Sequence, residues 1–105
     1  NGVFNIISVN SDVTIDNTQT LVAVDGSMGN RTITLPNPPD VPDGKVFYIY
    51  EEHGDGISIT IECDDSITYL INGLTSIVSV MPYGGYMIRV NYNKDGYVAT
   101  IMNPS

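Results

Sequence analysis

The densest group of side chains able to do chemistry is Glu51-Glu52-His53-Gly54-Asp55-Gly56, which holds three carboxylates and the only histidine of the chain. Its spacing suits neither common metal site. Zinc needs several His or Cys ligands, and a calcium loop needs acidic residues at alternate positions closing on a bidentate Glu. The plain reading is a solvated hairpin turn; the sharper one takes His53 and Asp55 as ligand-binding residues. Glu62 with the pair Asp64-Asp65 invites a glycosidase reading, in which two carboxyl groups stand roughly 5 to 9.5 Å apart across a groove. Neighbouring residues on a strand or turn point in divergent directions, so a polar turn is the better reading. No nucleophile elbow, phosphate loop or Ser/His/Asp set can be assembled, because His53 would serve alone as base. No catalytic residue, metal ligand or cofactor is therefore assigned. Cys63 is the single cysteine, so it forms no intramolecular disulfide and reads as a small apolar core residue.

A different chemistry is offered by Met81-Pro82-Tyr83-Gly84-Gly85-Tyr86. A tyrosine on a Gly/Pro loop presents a rigid aromatic face with a hydroxyl, suited to stacking on a sugar or anchoring a partner protein. Tyr83 and Tyr86 join His53 and Asp55 as candidate ligand-binding residues. The plainer alternative is a strand-entry loop with Tyr86 turned into the core.

The elements that must position these residues are strands. Short apolar runs recur at Val13 to Ile15, Leu21 to Val24, Thr32 to Leu35, Val46 to Tyr50, Ile57 to Ile61, Ile67 to Ile71, Ile77 to Met81, Tyr86 to Tyr92 and Tyr97 to Met102. Ten Gly and six Pro punctuate the chain as turn markers. Residues 1–11 read as a further strand or a connection to a preceding region, and 12–105 as one domain. The expected fold is all-β: an antiparallel, jelly-roll-like β-sandwich of eight or nine short strands. Pro36, Pro38, Pro39 and Pro42 make a rigid corner between two strands. Asn93-Lys94-Asp95-Gly96 predicts a tight hairpin in which Asp-Gly supplies the positive φ.

Alternation separates two kinds of strand. Ile57 to Ile61 is apolar at odd positions and polar at even ones, as a strand with one wet face should be. Val46 to Tyr50 is apolar on both faces, with Val46, Tyr48 and Tyr50 on one and Phe47 and Ile49 on the other. A sandwich of 105 residues has one interior, so doubly apolar strands imply a second covered surface. Phe47, Tyr48, Ile49 and Tyr50 are accordingly candidate subunit-interface residues.

Charge excludes one class of partner. Twelve acidic residues stand against Arg31, Lys45, Arg89 and Lys94, for a net charge of −8. Scattered bases make no phosphate footprint, so nucleic-acid binding is not expected. No run approaches the ~18 apolar residues of a membrane helix, so no membrane insertion is expected. The start Asn1-Gly2-Val3, without Met or a basic leader, suggests a processed product, a fragment or an excised domain.

The order of motifs resembles viral and bacteriophage fibre and spike proteins. It runs Leu21 to Asp25, Arg31 to Pro36, Asp43 to Ile49, Ile57 to Ile61, Ser66-Ile67, Ile71 to Gly73, then Gly85 to Val90 and Gly96 to Ile101 as a closing hairpin. The resemblance spans roughly residues 20–102. It departs where that hairpin often bears Trp: this chain has Tyr86 or Tyr97 instead and no Trp. The resemblance implies a β-sandwich that trimerises near a fibre tip on the virion surface and attaches to a host glycan or protein receptor without catalysis. The alternative is a monomeric carbohydrate-binding or adhesion module from a larger secreted protein; a hydrolytic domain using Asp or Glu is a third reading.

Overall fold

The computed structural model describes residues 5–25, 27, 29–52, 54 and 57–102. Ten strands run through them: β1 (Ile6–Val9), β2 (Val13–Thr14), β3 (Leu21–Val24), β4 (Arg31–Leu35), β5 (Val46–Glu51), β6 (Ile59–Cys63), β7 (Leu70–Ile71), β8 (Ile77–Ser79), β9 (Gly85–Val90) and β10 (Gly96–Met102). They form an all-β sandwich of a large sheet, ordered β1-β3-β5-β9-β10-β7, and a small sheet, ordered β2-β4-β6-β8. Among the described residues no helix is long and apolar enough to cross a membrane, a statement that does not extend to β-barrels.

From β1 to β6 the chain alternates between the sheets, so successive strands of each sheet run the same way. β1, β3 and β5 stack in parallel in the large sheet, and β2, β4 and β6 do so in the small one. The winding is then capped: β8 pairs antiparallel with β6, and the β9–β10 hairpin closes against β5. The sandwich is thus as the sequence predicts, but the strand directions correct the expectation of purely antiparallel, jelly-roll pairing, since five of the eight ladders are parallel. Period-two alternation is the same for both senses of pairing. Direction is set by the corners. The proline corner, with a 3-10 turn at Pro38–Asp40, carries the chain from the small sheet to the large one instead of folding β5 back beside β4.

Side-chain acceptors at the corners tie each winding to the next. Asp12 Oδ1 accepts the Thr32 N–H, Asn30 Oδ1 the Ser58 N–H and Asn37 Oδ1 the Asp65 N–H, at 2.8, 2.9 and 2.8 Å. These short polar side chains satisfy backbone donors at the corners, Ser58 and Asp65, and one near the start of β4, Thr32.

Between the sheets the inward rows interleave. Ile7, Val22 and Ile49 lie in register on one side, and Val13, Ile33, Ile61 and Ile77 on the other. Phe47 meets Tyr97 edge to face, with centroids 6.3 Å apart. The Tyr97 hydroxyl donates to the Pro36 carbonyl at 2.6 Å, joining β10 to the proline corner. Cys63 is fully buried, as the sequence predicts.

Two local expectations change. At the hairpin the positive φ falls on Lys94, at 58°, and not on Gly96. Gly96 is needed for another reason: a Cβ there would lie 2.7 Å from the carbonyl of Leu70, its register partner on the parallel neighbour β7. The run Ile67 to Ile71 is mostly turn, and only Leu70–Ile71 is strand, which leaves Ile67 in solvent.

Candidate functional site

The fold sorts its strands by their wet and dry faces. β4 and β6, with one polar face each, lie in the small sheet, whose outer surface carries Thr14, Thr32, Thr34, Thr60 and Glu62. β3 and β5, apolar on both faces, lie together in the large sheet. Its outer surface carries Ile6, Leu21, Tyr48, Met87 and Thr100 in one row and Val46, Arg89 and Val98 in the next. None of its outward strand positions is acidic and only Arg89 is charged, in a chain of net charge −8. In projection the face covers roughly 400 Å², taking ~4.8 Å per strand spacing and ~3.3 Å per residue. That is the size at which apolar patches on soluble proteins are often functional.

The four interface candidates divide on this geometry. Tyr48 and Tyr50 stand half-buried on the outer face of β5. Phe47 and Ile49 are corrected: both are 0% exposed between the sheets, so they are core residues and unavailable to a partner. The sequence shows that β5 has two apolar faces but not which one the second sheet covers. Leu21 and Met87 were missed for the same reason, since only the strand register places them beside Tyr48.

The four ligand-binding candidates divide as well. His53 and Asp55 lie outside the described residues. Tyr86 follows the plainer reading: it packs partly buried against the core and its hydroxyl donates to the Val78 carbonyl at 3.1 Å. Tyr83 stands in solvent at 60% exposure on the turn between β8 and β9. There the Gly84 N–H donates to the Met81 carbonyl at 2.9 Å, and Tyr83 has φ +61°.

What holds that turn is a residue first read as part of a solvated loop. Glu51 is the last residue of β5 and shares the inward face of Phe47 and Ile49; it is 1% exposed. Its Oε1 accepts the Gly54 N–H at 2.6 Å and the Tyr83 N–H at 3.1 Å, while its own N–H donates to the Gly84 carbonyl at 3.0 Å. The sequence signal for this was parity, since Glu51 is two residues beyond Ile49 and therefore faces the same way.

The remaining acidic residues are dispersed. A shallow cleft of about 340 Å³ at the proline corner has Asp16, Asp40 and Asp64 on its rim. Asp16 is held below the usual carboxylate range by the Thr18 hydroxyl and N–H, which it accepts at 2.5 and 2.8 Å. Asp65 is lowered in the same way by Thr68. Among the described residues no three His, Cys, Asp or Glu side chains are grouped to hold a metal ion. Burial pushes the Cys63 thiol up to about 12, with the carboxylates of Asp65 and Glu62 adding to the shift. A thiol so placed is a poor nucleophile at neutral pH.

No protein-family model matches this chain, and no curated protein matches it.

Proposed function

We propose that this chain is a non-enzymatic head domain of a viral or bacteriophage fibre or spike, acting in homotrimeric assembly and in attachment to a host-surface glycan or protein from the virion surface. The observation that carries the reading is the outer face of the large sheet. Its outward strand positions are mostly apolar, include no Asp or Glu and carry one charge, Arg89, whereas the small sheet presents threonines and Glu62 to water. A face of that kind is stabilised by being covered, and neighbouring copies meeting around a threefold axis would cover it. A standard interface takes ~800 Å² from each partner, so contact through this face would extend onto its rim. The motif order over residues 20–102 supports the same class.

Light scattering tests the assembly. The reading expects a particle near three times the 11.4 kDa chain mass; a particle of one chain mass, unchanged at high concentration, would falsify it. The second reading, a monomeric carbohydrate-binding or adhesion module, is favoured by the solvent-exposed Tyr83. Monomeric glycan binding that is lost in Tyr83→Ala would select it.

A further inference from the structure

The turn Met81–Gly84 has Pro82 at its second position, a positive φ at its third and a hydrogen bond closing first to fourth. These are the marks of a type II turn, whose third position is normally filled by Gly or Asn because a Cβ is strained there. This chain puts Tyr83 at that position. A bulky residue with positive φ is an outlier that persists only where its surroundings over-determine it, and such outliers cluster at binding sites. Here the surroundings are the buried Glu51, which accepts the Tyr83 N–H, and Gly54, which lies under the phenol end of the ring. A Cβ on Gly54 would sit 2.5 Å from Tyr83 Cε2, and Gly54 itself has φ +70°. The ring is thus set in place on a glycine floor, while its hydroxyl has no hydrogen-bond partner among the described residues. Val80, Met81 and Pro82 beside it are exposed and uncharged.

We infer that Tyr83 is a preset stacking platform for a neutral pyranoside. This deepens the attachment half of the function proposed above and rests on it. The apolar C–H face of a sugar ring matches the exposed ring face, and its hydroxyls can reach the Tyr83 hydroxyl. The platform is shallow and exposed, which suits a ring laid flat better than the deep, water-excluding pocket of a protein hot spot. No lysine or arginine stands on the turn or on β5 beside Glu51, so among the described residues an anionic sugar finds no counter-charge there.

The test is saturation-transfer NMR on the intact protein with methyl β-glucoside, methyl β-galactoside and methyl α-mannoside. Thermal melts and light scattering are run on the same samples, for wild type, Tyr83→Phe and Tyr83→Gly. Gly is the residue this turn prefers, so Tyr83→Gly should melt at or above wild type and yet lose transfer to the sugar ring protons, whereas Tyr83→Phe should keep it. Three results would each overturn the inference: no transfer from wild type to any glycoside, transfer that survives Tyr83→Gly, or a marked drop in the melting temperature of Tyr83→Gly, which would make the ring a packing element. A protein partner bound through Tyr83 without glycoside transfer also overturns it. A wild-type particle of one chain mass would instead sink trimeric assembly and leave the sugar result standing.

Discussion

Glu51 shows how much a single buried side chain organises in a small β domain. One carboxylate oxygen serves the Gly54 and Tyr83 N–H groups, which belong to two different loops. Glu51→Ala would leave both part-buried donors without their acceptor, at about 0.5–1.5 kcal/mol for each hydrogen bond lost. The expected result is a lower melting temperature together with faster amide exchange at Gly54 and Tyr83; unchanged exchange at both would count against this role. Strain at Tyr83, of order 1–3 kcal/mol for a residue in a sparsely populated region, draws on the same anchor. Two other buried groups set the alkaline limit. Cys63 is raised from 9.0 to about 12 by burial, and the Tyr97 hydroxyl is raised by burial with a contribution from Cys63. In each case the unfolded chain loses its proton first, so the stability is fully present below the unfolded pKa and is lost as pH climbs toward the folded one. Melting temperature should therefore fall as pH is raised from 9.0 toward 12, and the fall should be shallower in Cys63→Ala. Equal slopes in the two proteins would show that Cys63 is not a source of it.

At the scale of elements, β5 joins the core to the candidate interface. Its inward residues Phe47, Ile49 and Glu51 are buried, and its outward residues Val46, Tyr48 and Tyr50 face away from the second sheet. The double substitution Tyr48→Lys with Tyr50→Lys spares the residues between the sheets but replaces two half-buried rings, so the single chain should lose about 0.5–3 kcal/mol per site and still fold, as a thermal melt checks. The particle mass should fall to that of one chain. Thr60→Lys, on the outer face of the small sheet, is the matched control and should leave the mass unchanged. If the tyrosine variant keeps its mass, assembly does not use this face.

For the whole molecule the balance is between an apolar face that favours association and a charge of −8 that opposes it. In the proposed trimer three copies would bring like charges together, and salt screens exposed charges over a Debye length of ~8 Å at physiological ionic strength. Raising the salt concentration should therefore increase the fraction of chain in the large particle, seen by sedimentation velocity; dissociation on adding salt would point to an interface held by ion pairs.

The sequence by itself determined that the chain is all-β, that Val46 to Tyr50 is apolar on both faces, that Ile57 to Ile61 keeps one wet face, and that Cys63 is buried. These follow from residue type and period-two alternation, which are local properties. Tertiary structure decided the rest. The corners passing between layers turned the expected antiparallel ladders into stacked parallel ones. The second sheet chose Phe47 and Ile49 for the core and left Tyr48 and Tyr50 outside. The end of β5 drew Glu51 into the interior, where it holds a tyrosine in a conformation that glycine would adopt more readily. Each of these depends on which strand lies beside which, and no window of the chain contains that information.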